Sequence, residues 1–431
     1  MIETTHSSTI CAPSTSIGGA IGVIRISGQE AIAIADKIFS RSLASVPHAQ
    51  AIYGHLYDGN NIVDDVVTTI FRAPHSYTGE DTVEISHHGS PYIQQAILQL
   101  LIDNGCSMAT PGEYTQRAFM NGKMDLSQAE AVADLIASNN AATHRIAMQQ
   151  MRGSITTKLA TLREQLLHLT TMLELELDFS DHEDLEFVDR LEILSLASTI
   201  ESEITNLSNS FKTGNALKNG VPVAIIGAPN VGKSTLLNQL LGEDRAIVSD
   251  IQGTTRDVIE DSIIINGTQF RFIDTAGIRQ TDDTIESLGI ERSLKAAKHA
   301  HIIIMLTEPG VDFPDIEINS DQHVIYITNK TPEFQAINGT GLDYLYQQLI
   351  DAVPTINTDA VIITNQRHKE VLDIALADIR RSIEALKISL PSDLIAEELR
   401  QCIFHLSEIT GSSISSQEIL NNIFSNFCIG K

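Results

Sequence analysis

The sequence predicts a multidomain α/β and α protein: an N-terminal α+β domain, a helical bundle, and an alternating α/β domain inserted into the helical part. Three observations carry this. Short β-rich runs separated by turns fill residues 1–120. Apolar residues spaced by three and four take over in residues 121–218 and return in residues 354–431. Between those helical halves, residues 219–353 alternate strand and helix. At roughly 150 residues per domain, a chain of 431 residues has room for about three domains.

Each element has its own signal. Ile21-Gly22-Val23-Ile24-Arg25-Ile26 and Asp81-Thr82-Val83-Glu84-Ile85-Ser86 read as strands, and residues 91–101 as a helix. Met151, Ile155, Leu159, Leu162, Leu166, Leu169, Leu173 and Leu177 form one stripe of a long helix. Further stripes run through Leu372, Leu376, Ile379, Ile383 and Leu386, and through Ile395, Leu399, Cys402 and Leu406. Core packing of a bundle is the expected use of these stripes, with a coiled-coil partner surface as the alternative. In the inserted part, residues 223–226 read as a buried strand and 233–241 as a helix. Asn266-Gly267 is a two-residue hairpin signal between two strands, and residues 301–306 and 324–328 read as further strands. Near the C-terminus, Ile419, Leu420, Ile423, Phe424 and Phe427 share one helical face that would seat the tail on the bundle.

Composition narrows the function. Fifty-five Asp and Glu against 29 Lys and Arg give a net charge of −26, which rules out a whole-surface electrostatic grip on nucleic acid and leaves room for a local basic patch. The apolar runs are strand-sized, well short of the ~18 residues of a membrane span. The first residues lack a basic region followed by an apolar stretch, which argues against a secretory signal. Cys11, Cys106, Cys402 and Cys428 lie far apart in sequence with no Cys-x-x-Cys pair, a pattern that fits a reducing cytoplasm rather than a disulfide scaffold.

Gly227-Ala228-Pro229-Asn230-Val231-Gly232-Lys233-Ser234 follows a strand and opens a helix, and it fits G-x-x-x-x-G-K-[ST] in that context. Backbone N–H groups would wrap the phosphates, Lys233 would reach the outer ones, and Ser234 would ligate Mg²⁺. Thr235 follows in the first helical turn. Asp274-Thr275-Ala276-Gly277 ends a later strand and matches a second phosphate-sensing element. Thr255, in Thr254-Thr255-Arg256-Asp257, stands where a loop can carry it to the metal. These motifs make the inserted part a Ras-like P-loop GTPase domain.

Asn329-Lys330 follows a strand as in an Asn-Lys-x-Asp guanine motif, but the fourth residue is Pro332 where an Asp would accept from the guanine amino group and ring N–H. The interval to Gly339-Thr340-Gly341 is short for such domains. Either the base site is reduced or a segment is wanting at this point, and the intact motifs around it favour the second. After Gly277 comes Ile278, where Ras-like enzymes carry a water-orienting Gln. The carboxylates of Thr281-Asp282-Asp283-Thr284-Ile285-Glu286 are candidates to replace it.

Several separated motifs resemble the MnmE family of tRNA-modifying GTPases, also called TrmE or ThdF. They are Thr9-Ile10-Cys11-Ala12-Pro13-Ser14-Thr15, Val23-Ile24-Arg25-Ile26-Ser27-Gly28, Ser76-Tyr77-Thr78-Gly79-Glu80-Asp81, the run from Pro111 to Phe119, and Phe427-Cys428-Ile429-Gly430-Lys431. The resemblance implies a homodimer joined through the N-terminal domain. It implies an FAD-containing partner, MnmG (GidA), with FAD entering only through that partner. Together they would place an aminomethyl or carboxymethylaminomethyl group at C5 of the wobble uridine of certain tRNAs. A 5-formyl-tetrahydrofolate-type cofactor would be held by Arg25, Glu84, Lys123 and Lys431. K⁺ would drive hydrolysis from Asn230, Ser249, Ile251 and Thr254, and Mg²⁺ would sit on Ser234 and Thr255. The GTP-binding set implied in this way adds Val231, Gly232 and Asp250, and Gln252 and Gly253 beside Thr254. Glu286 matches the family's hydrolytic Glu. Cys428 is a candidate functional thiol, as a nucleophile, a proton donor or a packing residue. Two rival readings are an RNA-binding switch GTPase, which requires a compact basic module not seen here, and a folate-binding scaffold with negligible turnover.

Overall fold

The computed structural model describes residues 8–178, 190–242, 261–273, 295–320, 322–353 and 360–412, together with Leu420, Ile423, Phe424, Phe427 and Gly430. The chain divides into two compact units. One comprises residues 1–133, 151–156 and 407–431, and the other residues 134–150 and 157–406.

The first unit is built on a six-stranded sheet of β1 (Ile10–Pro13), β2 (Ile21–Ser27), β3 (Gln50–Asp58), β4 (Asn61–Phe71), β5 (Thr82–His88) and β6 (Ser107–Met108), in the order β3-β4-β5-β2-β1-β6. All pairs are antiparallel except β1 with β6. The alternation expected for a half-buried strand is present in β2, where Ile24 and Ile26 are buried and Arg25 points to the other face. Helices α1 (Ala31–Ile38) and α2 (Pro91–Asp103) cover the sheet, and α2 starts on a proline that needs no N–H partner there. Their buried residues join Ile24, Ile26, Val83 and Ile85 in one core. Helix α3 (Glu113–Met120) follows, and α4 (Leu126–Ala137) opens the helical stretch.

Cys11 and Cys106, far apart in sequence, meet in this core as free buried thiols joined by a hydrogen bond. The neighbouring thiol and burial hold Cys106 protonated. The tail packs as its apolar face predicts. Leu420 and Phe424 are buried with Leu126 and Ala129, and Phe119, Met124, Ile423 and Phe427 pack around them. Ile419 lies outside the described residues.

The second unit contains α5 (Ala141–Met151) up to Gln150, most of α6 (Ser154–Asp178), α7 (Arg190–Asn219), and a five-stranded sheet: β7 (Val221–Ile226), β8 (Asp261–Ile265), β9 (Thr268–Phe272), β10 (Ile302–Thr307) and β11 (His323–Thr328), in the order β11-β10-β7-β9-β8. Its strands are parallel except the β8–β9 hairpin, whose turn residues Asn266 and Gly267 both have positive φ, as a two-residue turn of that kind requires. Every residue of β10 is buried, the mark of a central parallel strand. Helix α8 (Lys233–Gly242) follows β7, α9 (Leu342–Asp351) follows the last strand, and α10 (Gln366–Lys387) and α11 (Ser392–Thr410) return to the helical part. Asn365 caps α10 by accepting the Arg367 N–H at 2.9 Å. Helix α10 packs along α7: Ser208 donates to Asp373 at 2.6 Å, and a Cβ on Gly214 would fall 2.2 Å from the Ile363 carbonyl. The α/β sheet thus lies in sequence between two helices that pack on each other.

The stripes on α10 and α11 are buried throughout. The expected continuous stripe from Met151 to Leu177 needs correction at both ends. Gly153, at φ +83°, breaks the helix after Met151, and Met151 and Leu177 are exposed. Among the described residues, no helix is long and apolar enough to cross a membrane.

Candidate nucleotide and cofactor sites

The phosphate loop is built from backbone. Strand β7 ends at Ile226, α8 begins at Lys233, and the residues between them turn through Asn230 at φ +64° and Gly232 at φ +99°. Gly227 lies so close to β10 that a Cβ would meet the Leu306 carbonyl at 2.1 Å. Lys233 Nζ donates to the carbonyls of Gly227 at 2.8 Å and Ala228 at 2.9 Å, so the loop curls around its own lysine. Burial pulls the Lys233 ammonium below the usual lysine range. Ser234 and Thr235 stand half-buried in the first turn of α8, beside backbone N–H groups that no helical carbonyl takes. This is an anion cradle with an alcohol at its rim, and the hydroxyl is an oxygen ligand of the kind that Mg²⁺ takes. Asn230, at the mouth of the loop, is the one expected K⁺ ligand among the described residues.

Asn329 and Lys330 are brought to this loop from the end of β11. Asn329 is 4 % exposed; its Nδ2 donates to the Val231 carbonyl at 2.8 Å and its Oδ1 accepts the Ala336 N–H at 2.9 Å. Lys330 Nζ donates to the Asn230 carbonyl at 3.3 Å and pairs with Glu308. The continuous turn from 331 to 341 joins β11 directly to α9. Ser249, Asp250, Ile251, Gln252, Gly253, Thr254, Thr255, Asp274, Thr275, Ala276, Gly277 and Glu286 lie outside the described residues. A separate cavity of about 310 Å³, lined in part by Lys212, Arg271 and Lys298, contains none of the expected site residues.

Three of the four expected folate residues, Arg25, Glu84 and Lys123, are described, and all three belong to the first unit. Arg25 on β2 stands opposite Glu84 on β5 in the antiparallel register, and the two form an ion pair with N–O distances of 2.8 and 2.9 Å. Arg25 Nη1 also donates to the Gly430 carbonyl at 3.4 Å, which accepts from Ser14 Oγ at the same distance. The guanidinium lies 5.6 Å from the Tyr77 ring centre and 5.7 Å from that of Tyr114. Lys123 is exposed and reaches back to the Pro74 carbonyl at 2.9 Å, beside Gly79. The C-terminal tail therefore reaches Arg25, while Lys431 and Cys428 lie outside the described residues. A charge pair 16 % and 28 % exposed, flanked by aromatic rings, fits a planar ligand with both donors and carboxylates.

Sequence reasoning did not single out the support behind this pocket. Arg117 is 1 % exposed and donates to Glu113 at 2.8 Å, Glu80 at 3.2 Å and the Ser8 carbonyl at 3.0 Å. The i,i+4 spacing of Glu113 and Arg117 is the signal that could have found it. Tyr114 donates to the Arg25 carbonyl at 2.7 Å, and burial keeps its phenol protonated.

The comparisons with known proteins place the whole chain in one family. A family model described as "MnmE helical domain" matches residues 126–428, and one described as "GTP-binding protein TrmE N-terminus" matches residues 9–123. A protein of Parabacteroides distasonis named tRNA modification GTPase MnmE is 53% identical over 98% of this chain and 100% of its own length. Its Bacteroides fragilis namesake is 50% identical over 98% and 99%. That of Flavobacterium psychrophilum is 45% identical over 99% of each. The first alignment runs to 461 columns against a chain of 431 residues, so that relative carries residues with no counterpart here. Matched from end to end and at this level of identity, the chain belongs to the MnmE family.

Proposed function

We propose that this chain hydrolyses GTP and couples turnover to modification at C5 of the wobble uridine of certain tRNAs. The observation that carries the reading is the Gly227–Ser234 loop, set between a buried parallel strand and a helix N-terminus with Lys233 inside it. The names of the relatives supply the link to tRNA: each is called a tRNA modification GTPase.

In this reading, the backbone N–H groups of the loop and of the first turn of α8 hold the phosphates. Lys233 exchanges the Gly227 and Ala228 carbonyls for the outer phosphate oxygens. Ser234 and Thr255 hold Mg²⁺, and Asn230, Ser249, Ile251 and Thr254 hold K⁺. When bound, these ions neutralise charge that builds on the phosphates. Glu286 orients the attacking water, the task Ile278 cannot perform. In the other unit, Arg25, Glu84, Lys123 and Lys431 hold a formyl-tetrahydrofolate-type cofactor that supplies a one-carbon unit. The protein works in the cytoplasm as a homodimer with the FAD-bearing MnmG, and the inserted α/β domain transmits its nucleotide state through the helices that flank it.

Nucleoside analysis of tRNA from a deletion strain tests the whole reading: the wobble uridine should lose its C5 substituent. GTP turnover several-fold faster in K⁺ than in Na⁺ at matched ionic strength tests the hydrolytic part. Unmodified turnover in Na⁺ would remove the role of K⁺.

A further inference from the structure

A chain with a net charge of −26 repels RNA over most of its surface, so any hold on tRNA must be local. One place in the second unit has the required charge. The cavity of about 310 Å³ is lined by Lys212, Arg271, Lys298, His299 and His301, with asparagines and Gln322 between them. None of its described lining residues is Asp or Glu. Its size lies at the lower end of the roughly 300–1,000 Å³ of ligand pockets and admits a phosphate with a flanking sugar.

The cavity stands apart from the phosphate loop. The loop follows the last residue of β7, whereas Pro222, near the start of that strand, lines the cavity. At ~3.3 Å per residue the length of β7 separates the two by about 20 Å. Ligands of open α/β sheets take the carboxyl ends of the strands, so nucleotide binding does not account for basic charge at the opposite end.

The fold holds these groups in place. Arg271 stands opposite Pro222 in the parallel register of β7 on β9. Gly220, at φ +87°, follows α7 where a Cβ would crowd the Arg271 Cβ at 3.1 Å. His301 N–H donates to the Pro222 carbonyl at 2.8 Å, and the His301 carbonyl accepts the His323 N–H at 2.9 Å. Gln322 Nε2 donates to the Ala297 and Ala300 carbonyls at 2.5 and 2.8 Å, which fixes the segment that carries Lys298 and His299. Burial first, then the charges of Lys212 and His323, pull the His301 imidazole below its usual range. Those two charges mark a positive potential that an anion would relieve. Lys212, Lys298 and His299 are exposed, so the mouth is open to a polymer and not only to a small ion.

We propose that this cavity is a second phosphate site and takes a backbone phosphate of tRNA. Arg271 and His301 form its half-buried floor, and Lys212 and Lys298 its rim. Lysine, arginine and amide side chains are the usual partners of nucleic-acid phosphates, and such contacts set the position of the RNA without reading its bases. The inference rests on the reading that this chain acts on tRNA.

The test is the affinity of the full-length protein for fluorescein-labelled tRNA, measured by anisotropy over a range of salt. Lys212→Gln combined with Lys298→Gln should weaken binding about tenfold near ~0.1 M salt. It should also lower the slope of log K against log salt by about one, the share of one phosphate. GDP affinity and melting temperature should stay put, since both side chains are exposed and neither belongs to the phosphate loop. Lys387→Gln combined with Arg400→Gln removes the same charge from α10 and α11 and is the control. Equal affinity in the cavity variant and wild type would overturn the inference. So would equal losses in the cavity and control variants, which report net charge alone. Wild-type protein that does not bind tRNA would overturn it too, while nucleoside analysis of the deletion strain decides separately whether the tRNA reading stands.

Discussion

The phosphate loop and the Arg25 pocket are built in opposite ways. The loop is one run of backbone between a strand and a helix, and its lysine rests on carbonyls five and six residues away. The pocket is made of side chains from β2, β5 and the 74–80 loop, closed by a carbonyl 405 positions along the chain. The difference teaches where damage should travel. A change in the loop alters chemistry and little else. A change at the pocket is shared among partners from several elements and reaches stability as well.

The largest expected effect tests the first half of that contrast. Lys233→Ala should lower GTP turnover by about 10³-fold, since it removes the charge aimed at the transferred phosphate. Its melting temperature should stay within a degree or two of wild type; a large fall would erase the contrast. Arg117→Met tests the second half. Removing one partner of a buried ion network costs about 3–5 kcal/mol, because Glu80 and Glu113 are left uncompensated. Urea denaturation should report that loss, while turnover per folded molecule stays unchanged.

Phe424→Ala should act on the pocket from a distance. It empties part of the seat shared with Leu126 and Ala129, at about 3 kcal/mol, and so loosens the tail that carries Gly430. Calorimetry should show 5-formyl-tetrahydrofolate binding weakened by tenfold or more with GDP affinity unaltered. Equal folate affinity would detach the tail from the site. The smallest effect concerns acid. Burial pushes the Glu113 carboxyl up, but the Thr110 N–H and Arg117 outweigh it and hold it below the usual range. A depressed folded pKa gives stability that is fully present above the unfolded value, near ~4.3, and is lost as pH falls through the folded value. Stability measured from pH 5 downward should fall, and in Arg117→Met that fall should be shallower, because the guanidinium that helps hold the Glu113 carboxyl down is gone.

The same contrast explains what was legible in the sequence. The loop could be read residue by residue because its ligating groups are contiguous and its glycines are dictated by close backbone approach. The stripes on α10 and α11 were legible because a 3.6-residue period maps directly onto burial. The helix break at Gly153 was not, since Met151 and Ile155 continue the period across it. Pairing of Arg25 with Glu84 depends on the register of β2 on β5, which belongs to the sheet and not to either strand. The thiol contact between Cys11 and Cys106 arises the same way, from elements that only the fold sets side by side. The missing Asp at Pro332 was plain in the sequence, whereas the second engagement of Asn329 required the turn that delivers Ala336.

The reach of the tail to Arg25 also sets a timetable. At about 5–20 residues per second on the ribosome, Gly430 is made roughly 20–80 s after Arg25, whose partner it becomes. From the synthesis of Ala129 until that of Leu420 and Phe424, Phe119, Leu126 and Ala129 have been made without the residues that cover them. A nascent chain stalled before its last dozen residues therefore presents an uncovered apolar seat, a mark by which quality-control factors can tell an unfinished copy from a finished one.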